Sequence, residues 1–326
     1  MNLQEIKLSP QTQNLLCCPS CQSKLKVTEQ KFECSNNQCQ SSFPIINGTP
    51  VLIDNDASVF STNDYLQQGK DTTLKTKSKL ERTLIDLVPS INFNLKGESN
   101  YQNFTELILK QNQKPKILII GGSVVGQGIK SLMSEAAVEI IESDVVLGDN
   151  ISVICDAHEI PFEDNSFDGV VVQAVLEHVV DPYTCVDEIF RVLKDGALVY
   201  SETPFMQQVH LGKYDFTRFT HLGHRRLFRK FEEVSSGPVC GPGMALAWTY
   251  QYFLLSFVRS ETARNLVKVF ARLTSFWLKY FDYYLINKAG SFDSASAYFF
   301  LGKKSNSLLD DKELLALYRG NQQSSF

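Results

Sequence analysis

Four cysteines in two pairs, Cys18-Pro19-Ser20-Cys21 and Cys34 with Cys39, are the residues of this chain whose types and spacing most directly imply chemistry. A C-x2-C turn and a C-x4-C turn supply the four thiolates that a tetrahedral zinc takes at about 2.3 Å, and such a closed site is a folding staple with no open coordination position. Cys17 is an extra thiol able to replace Cys18, although the Cys-Pro-x-Cys form favours Cys18. A second concentration lies between His210 and Phe228, where three of the five histidines stand with Asp215 and Arg218. Here His210 is the candidate general base and Asp215 or Arg218 its orienting groups; the alternative is that these residues brace a helix from Thr220 to Lys230. His221 and His224 read as surface or capping groups of that helix. The third feature is a run of glycines, Gly121, Gly122, Gly126 and Gly128, directly after the apolar Lys116-Ile117-Leu118-Ile119-Ile120. Glycine lets backbone approach a ligand at the carboxyl end of a strand.

These residues need a scaffold, and the apolar pattern supplies one. Gly169 to Gln173 is a continuous apolar run suited to a buried parallel strand. Asp181-Pro182 then opens a helix whose Val186, Ile189, Phe190 and Leu193 recur at helical spacing until Asp195-Gly196 stops it. With the strand Ala197 to Ser201 this makes a βαβ unit. Further strands are predicted at Lys116–Ile120, Val138–Ile141, Ile151–Cys155, near Glu232–Ser235 and at Ala295–Leu301. Only Ser143–Asn150 separates two of them, so the crossover there is abbreviated. Phe43 to Ile53 reads as a hairpin turning at Asn47-Gly48, and Leu80–Val88 as a helix ended by Pro89.

Asp156 to Gly196, DAHEIPFEDNSFDGVVVQAVLEHVVDPYTCVDEIFRVLKDG, resembles the second half of the cofactor domain of class I S-adenosylmethionine-dependent methyltransferases of the type 11 group. The resemblance implies an α/β fold: a Rossmann-like, mostly parallel sheet with an antiparallel last strand. It also implies S-adenosylmethionine as cofactor, approached by Gly121, Gly122 and Gly126. Glu142, with Asp144 as competitor, falls where a carboxylate accepts the ribose hydroxyls; Asp156 and Ala157 fall at the adenine and Gln173 on the cofactor side. Where the pattern usually has an acid at the end of the first strand, this chain has Ile119 and Ile120. Glu177 and His178 follow Gln173 towards the acceptor, with His178 read as a packing or hydrogen-bonding residue. Residues 15 to 54 resemble the small zinc-ribbon-like domain that activates several methyltransferases, which implies structural zinc on Cys18, Cys21, Cys34 and Cys39. His210, Asp215 and Arg218 resemble the H…D-[FY]-x-R-[FY]-T segment of many bacterial type 11 methyltransferases.

The expected organisation is a zinc-ribbon-like domain (1–56), a linker (57–100), a methyltransferase domain (101–305) with a helical aromatic insertion at 241–290, and a tail (306–326). In the insertion Leu266, Phe270, Leu273, Trp277, Phe281 and Tyr284 recur every three or four residues, with Arg264, Lys268, Arg272 and Lys279 on another face. Two uses are open: a cover packed over the acceptor cleft, or peripheral membrane contact through 245–285. With 43% apolar and 21% charged residues over 326 the composition is that of an ordinary globular chain, and the net charge of −4 gives no global attraction to nucleic acid. MNLQEIKLSP lacks an apolar signal core, and Gly243 to Val258 falls short of the roughly 20 residues of a spanning helix; both place the chain in the cytoplasm. The acceptor is expected to be a small molecule or a lipid- or glycan-linked group, methylated at oxygen. An RNA acceptor is the alternative, although residues 22–33 offer only Lys24, Lys26 and Lys31 with Phe32. A non-catalytic scaffold of the same fold is the third reading. No Asn/Asp-Pro-Pro-Tyr motif or Pro-Cys nucleophile is present, and Cys155, Cys185 and Cys240 read as buried strand, helix and loop residues.

Overall fold

The computed structural model describes residues 5–28, 31–68 and 88–323. The helix expected at Leu80–Val88 lies, but for its last residue, outside them. The strands are β1 (Leu25–Val27), β2 (Lys31–Cys34), β3 (Ser42–Ile46), β4 (Thr49–Leu52), β5 (Lys116–Ile120), β6 (Glu139–Asp144), β7 (Val153–Cys155), β8 (Phe167–Gln173), β9 (Leu193–Pro204), β10 (Phe231–Cys240) and β11 (Ala297–Lys304). The helices that position the site are α1 (Gly97–Gln111), α2 (Lys130–Met133), α3 (Pro182–Val192), α4 (His221–Leu227), α5 (Pro242–Leu255) and α6 (Glu261–Ser275).

Strands β7, β6, β5, β8 and β9 pair in parallel in that order, and β11 then runs antiparallel between β9 and β10. This is the mostly parallel, Rossmann-like methyltransferase sheet, with its last strand reversed. Alternation sorts the apolar residues between two faces. Leu118, Ile120, Val170, Val172 and Val199 pack with Cys185, Val186 and Ile189 of α3. Ile117, Ile119, Val171 and Tyr200 pack with Tyr101, Phe104 and Ile108 of α1. Asp181 caps α3 as its sequence suggests, accepting from the amides of Tyr183 and Thr184, with Pro182 in the first turn.

The amino-terminal strands continue the same sheet. β3 and β4 turn at Asn47 (φ 51°) and Gly48 (φ 77°), a left-handed pair suited to a two-residue hairpin. β4 then pairs in parallel with β7, Val51 opposite Ile154 and Leu52 opposite Cys155. Leu8, Leu16, Phe32 and Phe43 share one core with Ile160, Phe162 and Val186. The cysteine-bearing module is thus joined to the larger domain by a strand pairing and by common apolar burial.

Several element boundaries differ from expectation, β6 for one running on to Asp144. Leu193 belongs to β9 rather than α3, because its backbone pairs with Phe167 of β8 before Gly196 (φ 74°) redirects the chain. β10 runs to Cys240, which is therefore a strand residue and not a loop residue. Pro238 is tolerated there since β10 is the edge of the sheet. β11 starts at Ala297 and extends to Lys304, three residues past the expected end. The crossover between β5 and β6 contains only the four-residue α2, and 145–152 between β6 and β7 holds no helix.

Candidate functional site

The cysteine cluster is built by two turns. The amide of Gln22 donates to the Cys18 carbonyl at 2.8 Å and that of Gln40 to the Asn36 carbonyl at 3.1 Å. Gln22 (φ 58°) and Gln40 (φ 54°) are both left-handed, which turns each chain back behind its second cysteine. All four sulfurs lie within 4.8 Å of one another, Cys18 to Cys39 at 3.8 Å and Cys21 to Cys34 at 3.4 Å. Four sulfurs at 2.3 Å around a tetrahedral ion stand ~3.8 Å apart, so the cluster fits one. Cys17 stands aside, its thiol donating to Gln22 Oε1 at 3.0 Å.

At the carboxyl ends of β5, β6 and β7 lies a cavity lined by Ile120, Gly121, Asp144, Asp156, Ala157, His158, Val175 and His178. Its enclosed volume is about 80 Å³, and the empty space out to its mouth is about 540 Å³. Val59 and Phe60 cover it from one side and Tyr214 and Phe216 from the other, the rings of Phe60 and Tyr214 stacking at 5.8 Å. Gly121 (φ 82°) makes the turn off β5, and its amide and that of Gly122 donate to the Ser143 carbonyl.

Of the two acids on β6, Asp144 lines the cavity, and its Oδ2 accepts from the Ser123 amide at 2.9 Å. The Glu142 side chain lies instead against Gly122, where burial raises its pKa. Two residues apart on β6, Glu142 and Asp144 share a face of the strand; Asp144 lines the cavity and Glu142 packs against the glycine turn, so both stay candidates for the ribose hydroxyls. Burial opposes ionisation of Asp156, but hydrogen bonds from His158 and Ser58 outweigh it and hold the carboxyl below its usual range. Ser58 donates to Oδ2 at 2.6 Å, and the His158 ring meets Oδ1 at 2.6 Å.

Sequence reasoning missed a polar network beneath the glycine loop. Gln173 receives the Tyr101 hydroxyl on Oε1 at 2.9 Å and donates from Nε2 to Glu202 at 2.8 Å. Glu202 also accepts from Asn94 at 2.8 Å and from the Tyr200 hydroxyl at 2.5 Å; burial pushes its pKa up to about 7. Ala174, directly after Gln173, takes φ 55°, and its amide donates to the Glu202 carbonyl. A non-glycine residue in that region is strain held by its surroundings.

Beside the cavity, on the side expected to take the acceptor, Gln207, Gln208, Asp215, Phe216, Arg218 and Tyr252 line an open cleft of about 480 Å³ that shares Phe216 with the cavity. Asp215 is saturated: Arg218 forks onto both of its oxygens and the His210 amide donates to Oδ2. Burial opposes this, yet the Arg218 guanidinium keeps the carboxyl far below its ordinary range. Asp215 and Arg218 therefore brace the loop, and His210 is presented on it between the rings of His178 (4.9 Å) and Trp248 (5.9 Å). Burial lowers the pKa of His178, whose Nδ1 lies 2.8 Å from the Tyr214 carbonyl. Glu177 is 1% exposed, neither of its carboxylate oxygens has a hydrogen-bond partner, and burial raises its pKa to about 8.

His221 and His224 are core residues, not surface or capping groups. His224 is 1% exposed, among Phe219, Phe228 and Phe300, with Nε2 3.0 Å from the Ser201 hydroxyl. His221 lies against Phe292 and Tyr298 and meets Ser236. Thr220 does the capping, accepting from the Gly223 amide. The histidines are apart from the acceptor cleft because α4 turns them into the sheet.

The insertion divides its work. α5 carries Trp248 and Tyr252, stacked 5.6 Å apart, to the acceptor cleft, and buried Asp282 holds the start of α5 by accepting from the amides of Gly243 and Met244. α6 is turned the other way from a helix packed by its aromatics. Its small residues Ala271 and Ser275 are buried, whereas Leu266, Phe270, Leu273, Trp277, Phe281 and Tyr284 of this and the next turns are 49% to 70% exposed. The basic residues sit on the inner side: Arg264 reaches the Leu255 and Val258 carbonyls and Lys279 the Ser90 carbonyl. Close helix approach over small residues leaves the large ones outside. Among the described residues no helix is long and apolar enough to cross a membrane.

Residues 118–201 match the family model described as a methyltransferase domain. These residues span β5 to most of β9, and so contain Gly121, Gly122, Gly126, Glu142, Asp144, Asp156, Ala157 and Gln173. Curated relatives that bear the name demethylmenaquinone methyltransferase match one segment of the chain. The one from Clavibacter sepedonicus is 36% identical over 67 residues, 20% of this chain and 27% of the relative. That from Staphylococcus aureus (strain JH9) is 39% identical over 67 residues, 20% of this chain and 28% of the relative. The match thus spans about a quarter of the length of these relatives. Among solved structures, a SAM-dependent methyltransferase from Archaeoglobus fulgidus superposes with TM-score 0.39 at 16% identity, over 64% of this chain and 94% of that one. The chain has the class I methyltransferase fold.

Proposed function

We propose that this protein is an S-adenosylmethionine-dependent methyltransferase acting on a small, lipid-linked acceptor. The observation that carries this reading is the cavity at the carboxyl ends of β5 to β7, where a Rossmann-like sheet takes its ligand. In this reading Gly121 opens it, Glu142 or Asp144 takes the ribose hydroxyls, and Asp156 with Ala157 meets the adenine. Gln173, held from both sides by Tyr101 and Glu202 against Gly126, is taken as the side chain that meets the cofactor beneath the glycine loop. The cofactor supplies an electrophilic methyl group; the chain orients it, excludes water beneath Phe60 and Tyr214, and presents the acceptor from the His210–Arg218 loop. Calorimetry with S-adenosylmethionine and with its demethylated product tests the assignment. Binding of both is expected, and binding of neither would refute it.

The exposed apolar face of α6 and the following turns favours a lipid-linked acceptor over a freely soluble one. So large an unpartnered surface suits an interface, and the curated relatives' name specifies demethylmenaquinone. Vesicle co-sedimentation of the full chain, lost in the Phe270→Asp/Trp277→Asp variant, is the expected result. Equal sedimentation of the two would remove the lipid half of the proposal. Cys18, Cys21, Cys34 and Cys39 are taken as holding one structural zinc, in a ribbon that anchors the amino-terminal strands.

A further inference from the structure

Between the cofactor cavity and the acceptor cleft stands a group of side chains whose buried carboxylate neither site uses. Glu177, His178 and His210 each offer one ligand atom, and these atoms lie within 4.8 Å of one another. Glu177 is 99% removed from solvent by its exposure of 1%, and both its oxygens lack a partner. An unpartnered buried carboxylate is costly to keep charged, and a bound cation can take the place of the proton that would otherwise offset it. Glu177 Oε1 lies 3.7 Å from His178 Nε2.

The two rings are oriented for ligation. With its Nδ1–H donated to the Tyr214 carbonyl, His178 keeps its lone pair on Nε2, towards Glu177. His210 has the Gln208 carbonyl 3.2 Å and Asp215 Oδ2 3.5 Å from Nδ1, which frees its own Nε2 in the same way. A ligating histidine is usually fixed by such a bond at its other nitrogen. Arg218 in turn fixes Asp215, so the support extends one layer further.

The geometry points to a metal site, separate from the cysteines, in which Glu177, His178 and His210 hold a divalent first-row transition cation. Two imidazoles and one carboxylate suit such ions, and three protein ligands leave positions open for an exogenous oxygen. Ligand atoms at about 2.1 Å from an ion stand ~3–3.5 Å apart, a modest contraction from the present spread that the loop carrying exposed His210 can supply. His178 also lines the cofactor cavity, so an ion held here would stand beside that cavity. In this arrangement His210 is a ligand, not the general base its sequence context suggests. The ion holds an acceptor oxygen.

The test is metal content of the full chain equilibrated with buffered zinc, and separately with cobalt, measured for the wild type, His210→Ala and Glu177→Gln. The expected result is one equivalent less in each variant than in the wild type, whatever the cysteine cluster holds. A cobalt absorption band free of thiolate charge transfer should vanish with the variants. Equal metal content in wild type and His210→Ala overturns the assignment. His210 lies on a braced surface loop, so this variant leaves the core untouched, and its circular dichroism checks that the fold is retained. Binding of S-adenosylmethionine is measured in parallel and does not bear on the metal difference.

Discussion

Gly126 illustrates how closely the site is packed at the level of single residues. A Cβ built on it would lie 1.7 Å from Gln173 Oε1. Gln173 cannot simply swing away, because Tyr101 and Glu202 hold both ends of its amide. Gly126→Ala is therefore expected to weaken cofactor binding at least tenfold, read by calorimetry, with a stability loss of ~1–2 kcal/mol on denaturation. The buried histidines give a second expectation. Burial first, then neighbouring charges, lowers the pKa of His224 to about 3 and of His221 to about 4. As pH falls below the ordinary value of about 6.5, the unfolded chain takes up protons that the folded one refuses, at ~1.4 kcal/mol per pH unit per histidine. Stability should fall from pH 6.5 towards 4, and the melting temperature of His224→Leu should fall less steeply over that window. Neither histidine's burial was legible in HLGHRRLF, because the phenylalanines that enclose His224 come from Phe219 and Phe228 nearby but also from Phe300 on β11. The Glu202 network was illegible for the same reason: Asn94 precedes its partner by 108 residues.

At the scale of elements, the unit β8–α3–β9 was readable because each signal in it is local: an unbroken apolar run, an Asp-Pro cap, a glycine stop. The direction in which α6 faces was not. Periodicity reports that a helix has two sides and says nothing of which side meets the protein; Ala271 and Ser275 decide that only once α5 is beside them. The pairing of β4 with β7 was equally hidden, since a parallel partner a hundred residues away leaves no mark in either strand. It carries an expectation about metal. Stripping the proposed zinc from the four cysteines by chelation should loosen β1 to β4 and, through Val51 and Leu52, raise hydrogen exchange in Val153–Cys155. Exchange confined to residues 17–39 would show the two strands to be energetically independent.

At the scale of the whole molecule, the fold brings three segments of different origin to one opening: the stretch after β4, the β5–β9 core and the loop before α4. Ligand binding to the folded chain alone raises its stability by ~2.7 kcal/mol at a hundredfold excess over Kd, so S-adenosylmethionine should raise the melting temperature, and a scan against concentration would read Kd directly. Because the opening is assembled from all three, Ser58→Ala should alter that Kd although residue 58 lies outside residues 118–201. The hydroxyl of Ser58 already occupies the oxygen of Asp156 that an adenine amino group would seek. On the proposed adenine role of Asp156, an arriving nucleoside competes for that oxygen with a tethered alcohol whose effective concentration never falls. Affinity is thereby set partly by a hydroxyl that competes for the oxygen the ligand needs, and Ser58→Ala should bind more tightly than the wild type.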